Sequence, residues 1–143
     1  MALTNAQEAE VKETMQQYVM AYRNKDVKGL LAVFSPGICG FGSGPDEVVQ
    51  NINDFIRQIT RDMSQATVNA VDFSDTVIFG EGRVAWLMTE TVITFTLPGA
   101  KKQTMHGRST MVMRNTGSRW KIEQYHFSMP YGGQSSGQSF PGA

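Results

Sequence analysis

Residues 67–96 read TVNAVDFSDTVIFGEGRVAWLMTETVITFT, and the fold turns on this stretch. Before Ala66 the apolar residues recur every three or four positions; from Thr67 they alternate, which is the period of a strand. The stretch divides into two strands, Thr67–Phe79 and Arg83–Thr96, joined by Gly80-Glu81-Gly82. Two more strands follow, Gln103–Arg114 and Arg119–Pro130, set off by turn signals at Pro98-Gly99 and Asn115-Thr116-Gly117. Strands of this length curl as they twist.

Upstream the pattern is helical. Leu3, Val11, Met15, Tyr18, Val19 and Tyr22 share one face of a first helix that Thr4 or Asn5 can cap. Asp26 can cap a second, short helix through Leu30, Leu31, Val33 and Phe34, which Pro36-Gly37 stops. A glycine-dense bend, Gly40 to Glu47, ends in a helix-start signal: Ser43 or Gly44 as cap, Pro45 early, acids in the first turn. The third helix then carries Val48, Val49, Ile52, Phe55, Ile56, Ile59 and Met63 on one face. Helices first and a long meander after them make an α+β protein. Three N-terminal helices on the concave face of a curled, mostly antiparallel sheet form a cone with a mouth. One domain spans 1–130, and 131–143 is a Gly- and Ser-rich tail, flexible or ordered by a partner.

Composition narrows the function classes. Thirteen basic and thirteen acidic side chains leave no net charge and no basic stripe, so neither nucleic acid nor a membrane surface is an expected partner. No apolar run is long enough to span a bilayer, and the first residues lack a signal-peptide pattern. The single cysteine, Cys39, excludes an intrachain disulfide and suits the cytoplasm; it has no adjacent base that would make it a nucleophile. Two histidines and one cysteine are too few for a structural zinc site, and no metal or cofactor is expected.

Three stretches resemble a known superfamily. They are Tyr18-Val19-Met20-Ala21-Tyr22 with Asp26, Leu30, Leu31 and Phe34; Gly40 to Glu47 with Phe55 and Arg61-Asp62; and Gly107-Arg108-Ser109-Thr110 through Trp120-Lys121-Ile122 to His126-Phe127-Ser128. Their order is similar to the nuclear transport factor 2-like (ketosteroid isomerase-like) superfamily, and within it to the SnoaL-like proteins. The resemblance implies the cystatin-like α+β cone. It leaves function open, because the fold hosts isomerases, dehydratases, cyclases, binding proteins and assembly modules. Tyr18 matches the tyrosine that stabilises an enolate in ketosteroid isomerase, an enzyme that also serves as a general example of an oxyanion hole with a protonated aspartate. The isomerase's acids, expected near Phe41 to Ser43 and near Arg108 to Thr110, are missing here. Arg108 and His126 resemble pocket residues of the association domain of calcium/calmodulin-dependent protein kinase II.

Strand phase supplies the candidate pocket. Trp120, Ile122, Gln124, His126 and Ser128 share a face, and burial of Trp120 and Ile122 puts that face inside. With a three-residue loop at Asn115-Thr116-Gly117, Arg108, Thr110 and Val112 also face in; a four-residue loop reverses all three. His126 is the candidate general base, against a core-edge histidine satisfied by a hydroxyl or carbonyl. Arg108 is a ready anchor for an anion, or a partner for Glu90 or Glu123. Glu90 shares a face with Trp86, Met88 and Val92, so it is buried if Trp86 is, and stands in water if the register is shifted. Tyr18 is either an enolate-stabilising donor or a core tyrosine. Thr110, Gln124 and Ser128 complete the polar lining, and Trp86 and Trp120 are core residues first and ligand-stacking surfaces second.

The function expected from these residues is binding of a small molecule in a mostly apolar cone pocket. One alternative is proton transfer on a small carbonyl compound, with His126 or Glu90 as base and Tyr18 or Arg108 stabilising an enolate. Another is a pure oligomerisation module. The outer face, with Tyr125, Phe127 and Met129 and with Met111 and Met113 if they point outward, predicts a sheet-to-sheet homodimer.

Overall fold

The computed structural model describes residues 2–143. Helix α1 (Asn5–Arg23) opens on a capping box: the Thr4 hydroxyl accepts from Gln7 N at 3.1 Å, and the Gln7 side chain accepts from Thr4 N at 2.9 Å. Lys25, at φ 53°, turns the chain into α2 (Val27–Val33), whose cap is Asp26, accepting from Gly29 N at 2.9 Å. The chain then enters a strand, β1 (Phe34–Phe41), which the Pro36-Gly37 signal had concealed. A two-residue strand, β2 (Val48–Val49), pairs back on Gly40 and Phe41. Helix α3 (Ile52–Gln65) therefore starts later than the Pro45 signal predicts, and its cap is Asn51, accepting from Asp54 N at 2.9 Å. The long strands follow as read from the alternation: β3 (Thr67–Glu81), β4 (Val84–Thr96), β5 (Lys102–Asn115) and β6 (Trp120–Ser128).

All six strands form one sheet in the order β2-β1-β6-β5-β4-β3, antiparallel except where β1 runs parallel to β6. Three helices on this mixed sheet give the α+β cone. The core packs where α1, α2 and α3 meet the concave face: Val11, Leu30, Val33, Ile59, Met113, Trp120 and Ile122 are almost completely excluded from solvent. Burial alternates along β4 and β5. Ala85, Leu87, Thr89 and Thr91, and Gly107, Ser109, Met111 and Met113, are buried, while the residues between them lie on the convex face.

Two features of β5–β6 decide which side chains face in. Asn115 pairs with Trp120, so the loop has four residues, Thr116 to Arg119, with Gly117 at φ 103°. This is the loop length that turns Arg108, Thr110 and Val112 outward. In addition, Met113 pairs with Ile122 but Val112 with Gln124, leaving Glu123 as an extra residue in β6. Such a bulge inverts the alternation beyond it. Trp120 and Ile122 point into the core as expected, whereas Tyr125 and Phe127 take the inner positions and Gln124, His126 and Ser128 the outer ones.

The homodimer patch read from the sequence changes accordingly. Met111 and Met113 are buried on the concave face, and Tyr125 and Phe127 face inward with them. The convex face exposes a different apolar row, Val77, Phe79, Trp86 and Met88, with Phe79 opposite Trp86 and Val77 opposite Met88. After β6 the chain makes only turns.

Candidate functional site

Around Trp120, Ile122 and Met113 the cone is filled by side chains. Toward the other end of the strands it is not, and a cavity of about 290 Å³ lies between α1, α3 and the sheet. Val68, Val71, Ile93, Phe95 and Met105 line it from the sheet, with Tyr125 and Phe127 beyond the bulge. Gly107 makes room there: a Cβ on it would lie 2.5 Å from the Phe127 ring. From the helical side come Tyr18 and Tyr22 on α1, Phe34, and Phe55 on α3. These rings pack edge to face, with Tyr18 centred 5.5 Å from Tyr22 and 5.7 Å from Phe34, and Phe34 4.5 Å from Phe55.

The polar part of the wall is concentrated on α3 and the bend before β2. Phe55, Gln58, Asp62 and Gln65 recur at helical spacing and all line the cavity. The Gln58 amide donates to both acids, at 2.7 Å to Asp62 Oδ1 and 2.8 Å to Glu47 Oε1. Tyr22 donates its hydroxyl proton to Asp62 Oδ2. Glu47 is held by the bend itself, accepting from Gly44 N and, at 3.4 Å, from the Ser43 hydroxyl. Gly44 lets the backbone close on that carboxylate, since a Cβ there would fall 2.8 Å from Glu47 Oε2.

Burial pushes the Asp62 carboxyl above its ordinary 3.8, and the nearby Glu47 adds to the rise, against the pull of the Tyr22 and Gln58 hydrogen bonds and the Arg61 charge. Burial likewise raises Tyr18 to about 12, with Asp62 contributing, and lifts Tyr22 and Tyr125 well above 10.0. The hydroxyls of Tyr18 and Tyr125 have no hydrogen-bond partner among the described residues. A wall that holds a carboxyl of raised proton affinity beside unpartnered phenols can orient a polar group of a ligand and exchange a proton with it.

Of the residues singled out by the sequence, Tyr18 is the one that projects into this cavity. Thr110 and His126 border it, but they alternate with the inward Ser109, Met111, Tyr125 and Phe127, so their side chains turn to the convex face. There His126 packs against Phe41 at 5.9 Å. Glu90 and Arg108 are exposed and stand opposite one another on that face, with Ser128 opposite Arg108. Gln124 approaches Cys39 Sγ at 3.8 Å, again outside. Trp86 is 44% exposed on the convex face, so the premise that would have buried Glu90 fails. Trp120 lies in the filled half of the cone and donates from Nε1 to Glu10 Oε2 at 2.9 Å. The expected continuous cavity from Tyr18 past Trp86 and Trp120 to His126 therefore does not form.

Asp62, Glu47, Gln58 and Tyr22 were not recognised as site residues. The available signal was the polar stripe Gln58, Asp62, Gln65 continuing the line of Phe55, and the pairing of Tyr18 with Tyr22 one turn on.

The model of the SnoaL-like domain matches residues 11–132. The chain is a member of the SnoaL-like family. No curated protein matches it in sequence. Among solved structures, this SnoaL-like chain is similar to a nuclear transport factor 2-like protein of unknown function from Pseudomonas putida (TM-score 0.75, 16% identity, 90% of each chain covered). It is also similar to a protein from Streptomyces avermitilis provisionally described as a dehydratase of the nuclear transport factor 2-like family (TM-score 0.79, 16% identity, 90% of this chain and 99% of that one). A third is a ketosteroid isomerase-like protein from Erwinia carotovora atroseptica (TM-score 0.74, 14% identity, 90% and 99%). At these identities the likeness establishes the fold. No helix among the described residues is long and apolar enough to cross a membrane.

Proposed function

We propose that the cone cavity binds a small, mostly apolar molecule. The observation that carries this reading is the cavity of about 290 Å³ with aromatic and aliphatic walls and one polar cluster, Glu47–Gln58–Asp62–Tyr22. That volume is near the lower end of the roughly 300–1,000 Å³ typical of ligand pockets and suits a one- or two-ring compound. The test is a calorimetric titration with the neutral probe 2-naphthylmethanol. Met105→Trp, which fills the cavity from β5, is expected to weaken binding at least about tenfold, roughly 1.4 kcal/mol. Arg108→Ala, on the other face, is the control and is expected to leave the affinity unchanged. Equal affinity in wild type and Met105→Trp would place the probe elsewhere and remove the reading.

A second reading is enzymatic, and the unpartnered Tyr18 hydroxyl in the same wall as Asp62 favours it. Asp62 would take a proton from the carbon next to a carbonyl, and Tyr18 would donate a hydrogen bond to the resulting enolate oxygen. Exchange of the α-hydrogens of 2-tetralone in deuterated water, followed by proton NMR, tests it. Exchange no faster than in buffer, or undiminished in Asp62→Asn, sinks it. We also propose that the chain is a homodimer joined through the convex row Val77, Phe79, Trp86 and Met88, because a neutral protein has little charge repulsion to keep such rows apart. A cytoplasmic location, with neither nucleic acid nor membrane as partner, remains the reading of composition alone.

A further inference from the structure

The charges around the cavity are one-sided. Glu47 and Asp62 line it, and no lysine or arginine does among the described residues. The nearest cation, Arg61, is turned outward onto Asp46, with contacts of 2.7 and 3.2 Å, and reaches Glu47 only at 3.9 Å. Two carboxylates, Asp46 and Glu47, thus share one guanidinium, and Asp62 has no ion pair of its own among the described residues. On the cavity side, Asp62 is held by neutral donors, the Tyr22 hydroxyl and the Gln58 amide. Such donors orient a carboxylate without cancelling its charge, and a buried charge without a counter-ion is unfavourable.

The second observation is independent of the acids. Tyr18 lies deep on α1, faces the cavity, and its hydroxyl has no partner. It can accept an N–H as readily as it can donate. Its ring belongs to the aromatic cluster with Tyr22, Phe34 and Phe55, and aromatic faces attract cations, more strongly when water is excluded.

We infer that the cavity selects its ligand by charge, and that the occupant is an organic amine, protonated, on an apolar one- or two-ring body, with the ammonium seated against Asp62 and the Tyr18 hydroxyl. This rests on the binding reading above and adds the ligand's chemical class. An anion of the same shape meets two carboxylates and no cation, and is rejected. A neutral isostere keeps only the apolar contacts. The raised proton affinity that burial gives Asp62 agrees with this, since a ligand ammonium adds a close counter-charge where Arg61, committed to Asp46, acts only from a distance.

The experiment uses three probes of one shape at pH 7: 2-naphthylmethylamine, 2-naphthylmethanol and 2-naphthoate, titrated into the full chain by calorimetry. The amine is expected to bind at least about tenfold more tightly than the alcohol, and the carboxylate most weakly. Asp62→Asn is expected to bring the amine to the alcohol's affinity, whereas Arg108→Ala, on the convex face, is expected to leave the order and spacing of the three affinities unchanged. Glu47→Gln, which keeps an acceptor for Gly44 N, provides a second variant should Asp62→Asn not fold, and is expected to reduce the amine's advantage by a smaller factor. If the alcohol binds but the amine is no tighter, or the carboxylate matches it, charge selection is overturned and the cavity reading survives. An advantage for the amine that persists in both variants overturns the assignment to these acids. If none of the three binds, the alcohol included, the cavity reading falls and this inference with it.

Discussion

On the concave face of the sheet Leu87, Thr89, Ser109 and Met111 are buried, while their immediate neighbours Trp86, Met88, Arg108 and Thr110 are exposed on the convex face. Both faces mix bulky apolar and hydroxylic side chains, so a tryptophan, methionine or threonine on a strand does not say which face is inside. The two tryptophans make the point. Trp120 is 1% exposed and hydrogen-bonded to Glu10, whereas Trp86 is 44% exposed beside Phe79. A bulky aromatic on a strand is evidence that something covers it, and that cover can be the protein's own helices or a second molecule. The acids divide the same way. Glu90 stands in water opposite Arg108, and Asp62 lies in the cavity among neutral donors.

The most severe way to break this contrast is to place a charge on the inner face. Ile122→Asp puts a carboxylate at a position closed to solvent, whereas Gln124→Asp, just beyond the bulge, stands in water. The loss for Ile122→Asp is expected to exceed about 4 kcal/mol, enough to abolish cooperative unfolding in denaturant, and that for Gln124→Asp to stay within roughly 0.5 kcal/mol. Comparable losses at the two positions, as simple alternation from Ile122 would give, would refute the bulge at Glu123 as the arbiter of the faces.

The tryptophans give a contrast of intermediate size. Trp120→Ala is expected to cost about 3–5 kcal/mol, from lost burial and the cavity left behind. Trp86→Ala is expected to stay within roughly 0.5 kcal/mol for the isolated chain, as for an exposed site, yet to shift sedimentation toward monomer. Comparable costs in chemical denaturation would mean that the convex face is covered within the chain itself.

The smallest effect concerns the acids. Because the folded-state pKa of Asp62 is raised above 3.8, the native protein holds that proton more tightly than the unfolded chain. Stability therefore falls as pH rises from about 4 through the raised value. Asp62→Asn is expected to lack this fall and to melt a few degrees higher at pH 7, while Glu90→Gln should track wild type. Parallel wild-type and Asp62→Asn profiles between pH 4 and 7 would show that the carboxyl is not desolvated.

Much of the fold was legible because its signals are local. The change from helical to alternating period at Ala66, the Thr4 and Asp26 caps, and the turns between the long strands each depend on a few adjacent residues. β1 was missed because Pro36 and two glycines deny it the usual strand signature, and it forms by pairing in parallel with β6, Phe34 with Ile122 and Phe41 with His126, across most of the chain. The start of α3 was misplaced for the same reason: Val48 and Val49, apolar and at helical spacing, are recruited to a strand by Gly40 and Phe41.

The candidate site was less legible than the fold. Tyr18 was found from its place on α1 and its family resemblance. His126, Gln124 and Ser128 were placed inside by carrying the phase of Trp120 across Glu123, and Arg108 and Thr110 by taking the β5–β6 loop one residue short. In a strand every such slip exchanges the two faces, so an error of one residue inverts an entire set.

Taken alone, the sequence determined which segments are helices and long strands, that they form an α+β cone of the SnoaL-like type, and that the chain has no net charge, because those properties rest on periodicity, capping and composition. Tertiary structure decided which face of each strand is inside and which acid is withdrawn from water. The bulge at Glu123, the parallel pairing of β1 with β6 and the closure of the bend on Glu47 all depend on contacts between distant parts of the chain, and periodicity within a single segment carries no record of them.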